Sequence, residues 1–225
     1  MPRRRLARRL DSEPPGAQTA RKYLLYFNSR DLFFRPALFP KLDSRSLFDN
    51  DLALKLEIGC GTADFLCALA SKEPQANFIG VDVAWKPLFK AVRTASCLSL
   101  DNIKFIKAEF KLMQALLVPA SLEAVYLHFP DPNRRPKFQK RTIFSPAFLD
   151  HMAKTLTPTG CLSVMTDHRD FFMEMLSLVE QDCRFEKLHA ERYLIGFEPE
   201  VKSRFQRTWE KYQLPILRFE VKKRG

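Results

Sequence analysis

Four acidic residues stand where short apolar runs end, and their surroundings suggest what chemistry the chain can do. The run Val125–His128 leads into Phe129-Pro130-Asp131-Pro132-Asn133 and then into Arg134, Arg135, Lys137, Lys140 and Arg141. An acid stiffened by proline on both sides and followed by fixed positive charge puts a carboxylate at the mouth of a sheet, beside a surface suited to phosphates. That combination suggests chemistry performed on a nucleic acid. Upstream, Glu57-Ile58-Gly59-Cys60-Gly61, Gly80-Val81-Asp82-Val83 and Lys107-Ala108-Glu109-Phe110 close three further runs. Gly59 and Gly61 let the backbone turn sharply and approach a ligand closely. Asp82 follows at about the twenty-residue distance from which a strand-end acid accepts bonds from two ribose hydroxyls. Such charged hydrogen bonds contribute roughly 1.5–3 kcal/mol each. Glu109 is placed to read an adenine amino group, and Glu57 suits a ligand with a cationic end.

These acids need elements to position them. From Leu52 onward, β-prone runs alternate with helix-length segments. The pattern predicts strands over 54–58, 77–82, 103–107, 124–128 and 161–166. Helices are expected over 63–71, 86–98, 146–156 and 169–181, with a short one after 107. Two later strands fall near 185–188 and 216–221. Such alternation implies a mostly parallel sheet covered by helices. The expected fold class is α/β, a Rossmann-like doubly wound sheet with helices on both faces and an antiparallel C-terminal strand. Residues 1–20 read as a flexible basic arm, and 21–51 as an extension that packs on the core without joining its sheet. Residues 52–225 read as the main domain. A dinucleotide site is disfavoured, because G-x-G-x-x-G needs glycine at position 64. Asp64 stands there instead, and an acid at a helix N-terminus opposes a pyrophosphate.

Charge is unevenly spread over the 225 residues, whose net charge is +11. Residues 1–9 hold five arginines and no acid, 133–142 five basic residues and no acid, and 202–225 eight basic against two acidic residues. These segments carry a local excess of 16, which leaves the rest of the chain at −5. A basic excess confined to a few segments on an acidic body is the footprint of a phosphate-binding face. The five cysteines form no C-x-x-C pair, which argues against a disulfide framework or a zinc site and for a reducing, cytoplasmic setting. No apolar run is long enough to span a bilayer, and the basic N-terminus lacks the apolar stretch of a signal peptide.

Acid-x-Gly-x-Gly followed by a strand-end Asp and a strand-end Glu is the pattern of S-adenosylmethionine methyltransferases. Across most of residues 52–222 the chain resembles the bacterial tRNA (guanine-N7)-methyltransferases. The likeness rests on Leu56-Glu57-Ile58-Gly59-Cys60-Gly61, Gly80-Val81-Asp82-Val83, Phe129-Pro130-Asp131-Pro132 with its basic tail, and Thr166-Asp167. The resemblance implies methyl transfer from S-adenosyl-L-methionine to N7 of a guanine in tRNA, guanine 46 of the variable loop. It implies that Glu57, Gly59, Gly61, Asp82, Glu109 and Asp131 line the cofactor pocket, with Asp131 also facing the guanine as the catalytic residue. It gives Arg135, Asp167, Ser203, Arg204, Phe205 and Gln206 to the tRNA. Relatives have tryptophan where this chain has Asn133, and glutamate where it has Gln206. The residues alone leave open methyl transfer to another RNA, and RNA binding without catalysis. No membrane or metal is expected, and the oligomeric state is undetermined.

The four histidines (128, 151, 168 and 189) show no metal-ligand spacing. Cys60 has no adjacent base to make it a nucleophile. Trp85, just past Asp82, could flank an adenine or simply pack.

Overall fold

The computed structural model describes residues 13–132, 142–196, 201–202 and 204–224. The chain divides into two compact units, Met1–Leu116 and Leu117–Gly225.

In the first unit, helix α1 (Ala17–Tyr23) runs directly into strand β1 (Leu24–Tyr26). Two short helices follow, α2 (Ser29–Phe34) and α3 (Ser44–Phe48). Each begins at a side chain that satisfies an orphan amide: Asn28 accepts from Asp31 N–H at 2.8 Å, and Asp43 from Ser46 N–H at 2.7 Å. Then come β2 (Ala53–Ile58), α4 (Asp64–Lys72), β3 (Ala76–Asp82), α5 (Trp85–Cys97), β4 (Ile103–Lys107) and α6 (Phe110–Met113). The four strands are parallel, in the order β1-β4-β3-β2. Every β3 residue from Ala76 to Val81 is buried, as a parallel strand covered on both faces requires. Phe78, Ile79, Leu54, Leu56 and Phe105 fill the sheet side of the core, and Leu66 and Leu88 are among the fully buried helix residues.

Residues 21–51 correct one expectation. Leu24–Tyr26 is a strand, paired in parallel with Phe105–Lys107. Its three residues are too few to show an alternating pattern, and it borrows its ladder from a distant segment. Residues 17–20 of the expected arm are helical, because α1 starts at Ala17. Just before it, the carbonyl of Glu13 accepts from Arg93 Nη1 at 2.7 Å. Residues 1–12 lie outside the described set.

The second unit contains β5 (Leu122–His128), α7 (Pro146–Thr155), β6 (Leu156–Thr166), α8 (Arg169–Glu180), β7 (Phe185–Lys187), β8 (Leu194–Ile195), α9 (Arg204–Lys211) and β9 (Leu217–Lys223). Strands β5 and β6 are parallel, and β9 runs antiparallel to β6, β7 and β8. This is the antiparallel C-terminal strand expected from the sequence. Phe219 packs against Phe172 of α8 at 5.5 Å between ring centroids. Strand β6 begins five residues earlier than expected. The strand takes in Thr157-Pro158-Thr159-Gly160, which the structure absorbs as a register shift between Leu122 and Ala124 on β5. Gly160 is needed there, since a Cβ would sit 2.7 Å from the carbonyl oxygen of Leu122.

Candidate active site

In the first unit the site is built at the carboxyl ends of β2, β3 and β4. Glu57 lies one residue before the end of β2, is 5% exposed, and one of its carboxylate oxygens, Oε2, has no partner among the described residues. Burial pushes its carboxyl well above the ordinary carboxylate range, and the negative charges of Asp82 and Asp64 push the same way. The chain turns sharply after Glu57, with Gly59 at φ +76° and Gly61 at φ +55°. Open space surrounds both Cα atoms where a Cβ would stand.

The turn is held by its own hydrogen bonds. Gly59 N–H and Cys60 N–H both donate to the carbonyl of Val81, at 2.8 and 3.0 Å. Gly61 N–H donates to Asp82 Oδ2 at 2.8 Å, and Ala84 N–H to Asp82 Oδ1 at 2.8 Å. All three turn amides are therefore committed within the protein. A phosphate cradle needs such amides aimed outward, so this turn is not one. Asp64, the first residue of α4, accepts from the Thr62 hydroxyl. Its charge complements the helix N-terminus and keeps an anionic ligand away. Burial raises Asp82, which its backbone amide partners partly offset, and pushes the Cys60 thiol well up. Cys60 is accordingly a packed neutral thiol.

Gly80 of β3 lies under this turn. A Cβ there would meet Cys60 Sγ and Phe105 Cδ1 at 2.9 Å, so its lack of a side chain lets the turn seat on the sheet. Glu109 is exposed just past β4, where its carbonyl starts α6 by accepting from Leu112 and Met113 N–H at 3.1 Å.

In the second unit, Phe129 N–H donates to the carbonyl of Met165 at 2.6 Å, and the Phe129 ring packs with Met165 and Ile216. Phe129 has φ +52°, a conformation that non-glycine residues adopt at some cost and that clusters at functional sites. It re-aims the chain so that Asp131 is exposed, while Pro130 is buried and Pro132 is half-buried. Asp167, half-buried, follows the end of neighbouring β6. Thus Asp131 and Asp167 emerge from the carboxyl ends of two adjacent parallel strands.

Arg135, with the rest of the basic run to Arg141, and Ser203 lie outside the described residues, as do the side chains of Arg204 and Phe205. Gln206 is turned inward. It is buried, donates from Nε2 to Glu210 Oε1 at 3.0 Å, and lines a cavity of about 180 Å³ with Glu210, Leu214 and Ile216.

Sequence reasoning missed three features. The left-handed Phe129 has no signature in residue type. His168 caps α8, its Nδ1 accepting from Phe171 N–H at 3.2 Å. Its position directly before the helical pattern could have found it. The third is a cluster of Tyr26, Trp85 and Lys107, invisible until β1 is known to join the sheet.

The cofactor implied by the resemblance is S-adenosylmethionine, and the first-unit residues fit it. An orphaned, buried carboxylate oxygen matches a cationic ligand, and the two turn glycines leave room for one. Among the described residues, no group of three or more His, Cys, Asp or Glu could hold a metal ion, and no helix is long and apolar enough to cross a membrane.

Residues 51–218 match the model of a protein family described as "Putative methyltransferase". A tRNA (guanine-N(7)-)-methyltransferase of Rubrobacter xylanophilus is 47% identical over 98% of this chain and 99% of its own length. The chain belongs to the tRNA (guanine-N7)-methyltransferase family. A second family member, from Chloroherpeton thalassium, is 37% identical over 96% of each chain. Among solved structures, an antibiotic-related methyltransferase matches with a TM-score of 0.60 at 15% identity, covering 83% of this chain and 96% of its own. That likeness carries the fold, the mixed α/β architecture of Rossmann-like methyltransferases.

Proposed function

We infer that this protein transfers a methyl group from S-adenosyl-L-methionine to N7 of a guanine in tRNA, at guanine 46 of the variable loop, in the cytoplasm. The observation that carries the reading is Glu57: a buried acid with an unmet oxygen, beside a turn whose amides have nothing left for a phosphate. A cation is the ligand that repays such a desolvated carboxylate.

S-Adenosylmethionine, when bound, supplies an electrophilic methyl group on a positively charged sulfur. Glu57 holds the cationic end of the ligand in a place shielded from water. Asp82 keeps the glycine turn in shape with two of its lone pairs, and its remaining lone pairs suit ribose hydroxyls. Glu109, exposed past β4, is free to accept from an adenine amine. Guanine N7 presents an in-plane lone pair and no proton, so no strong base is required. The side chains therefore act by positioning and by charge. As N7 gains the methyl group, positive charge develops on the purine, and the Asp131 carboxylate stabilises that charge or accepts from the guanine N1–H and amine. His128, directly before this segment, is held neutral. Burial and then the nearby charge of Arg218 lower it to about 3, so it is too weak a base to take part. Asp167 and the basic run after Asn133 meet the tRNA.

Incubating the protein with unmodified tRNA and labelled S-adenosylmethionine, then mapping the modified base, tests the reading. N7-methylguanine at position 46 is expected, with tRNA affinity falling steeply as salt is added because phosphate contacts release counterions. Label at another atom, or in no RNA at all, overturns it.

A further inference from the structure

The carboxyl edge of the first unit carries a second feature, an open aromatic pair with a lysine beside it. In register, Tyr26 pairs with Lys107 and Lys107 with Asp82, so the three stand in a row across β1, β4 and β3. Trp85 opens α5 three residues past Asp82. The Tyr26 and Trp85 rings stand 5.1 Å apart, and Phe89, one turn along α5, stands 5.6 Å from Trp85. Lys107 Nζ lies 5.2 Å from the Tyr26 ring centroid and 5.5 Å from that of Trp85. Tyr26 is 54% exposed and Trp85 39%.

An aromatic pair left this open does little for the core, since the benefit of an aromatic comes from the area it buries. Beside it, α5 sets Lys86 and Lys90 one turn apart, in step with Trp85 and Phe89, and the helix contains no acid. Aromatic faces interleaved with lysines are how proteins hold unpaired nucleotides: bases stack on the rings while cations meet the phosphates.

The geometry points to this edge as a stacking platform for an unpaired nucleotide of the RNA substrate, its base on the Tyr26–Trp85 pair and its phosphate against Lys107 and the α5 lysines. This rests on the tRNA reading above. The adenine of the methyl donor is a poorer occupant. That molecule has no phosphate and is cationic overall, so Lys107 opposes it, whereas Glu57, Asp82 and Glu109 attract it.

The chain has two tryptophans, so Trp209→Phe leaves Trp85 as the sole indole. In that full-length protein, a short single-stranded oligoribonucleotide quenches Trp85 emission, and adding Tyr26→Ala weakens the binding. S-Adenosylhomocysteine leaves the emission unchanged. In steady-state assays, Tyr26→Ala and Lys107→Ala each raise KM for tRNA roughly ten-fold, the scale of one lost base stack, while kcat and donor affinity stay near wild type. Quenching by S-adenosylhomocysteine but not by RNA assigns the rings to the donor and overturns the platform. So does an unchanged KM in both variants, which leaves the rings a packing role. If the wild-type protein methylates no tRNA yet the oligonucleotide still quenches Trp85, the platform stands and the proposed reaction falls.

Discussion

Glu57 in the first unit and His128 in the second are both titratable groups shielded from water near the carboxyl end of a parallel strand, and burial drives both toward neutrality. Only Glu57 sits beside open space framed by two glycines in left-handed conformations. His128 is instead half-buried with its ring nitrogens shielded, beside Tyr126 with ring centroids 5.6 Å apart, and near the charge of Arg218. Burial alone therefore does not mark a working residue. An unmet hydrogen-bonding valence beside room for a ligand does. In the second unit the residue proposed to work is the exposed Asp131, held by stiff backbone rather than by a buried charge.

The comparison breaks first at Asp131. Asp131→Ala is expected to lower kcat/KM for tRNA methylation roughly 10²- to 10³-fold, as loss of one electrostatic partner of a transition state does. Its thermal midpoint should stay near wild type. A near-normal rate in the folded variant would move the work elsewhere. Glu57→Gln comes next. Losing a charged hydrogen bond should weaken S-adenosylmethionine binding by about ten-fold or more in calorimetry, while the ligand-free variant melts higher. The sign follows from linkage. The folded chain holds the Glu57 proton where the unfolded chain has lost it, so this group's contribution to stability falls as pH rises above about 4.5. Melting curves across pH should show that slope in the wild type and lose it in the variant.

His128 gives the smallest and opposite effect. The unfolded chain takes up a proton near pH 6.5 and the folded chain only near about 3, so stability drains away as pH falls through that window. His128→Asn should flatten this acid limb and leave turnover at neutral pH close to wild type. A large loss of turnover would give His128 a part in the chemistry.

Most of the first unit was legible in the sequence because its signals are local. Glycines after an apolar run announce the turn, and an acid closing the next run announces Asp82. What stayed hidden depends on distant partners. Strand β1 exists because β4 offers an open edge. The commitment of the turn amides depends on Val81 and Asp82, about twenty residues away, which is loop closure that no local pattern records. In the second unit, the prolines marked Asp131 as an acid past a strand end, and the structure exposes it there. The left-handed Phe129 was not legible, because a bulky residue there runs against preference and is held by Met165 and Ile216 instead.

The committed amides of Gly59, Cys60 and Gly61 have a spectroscopic corollary. These protons sit in strong internal bonds before any small molecule arrives, so deuterium uptake there should be slow in the empty protein and barely slower in the loaded one. Protection gained on loading would instead gather in flanking segments that have bonds still to form. A labelling map would then outline the ligand as a bright rim around a dark, unchanging centre.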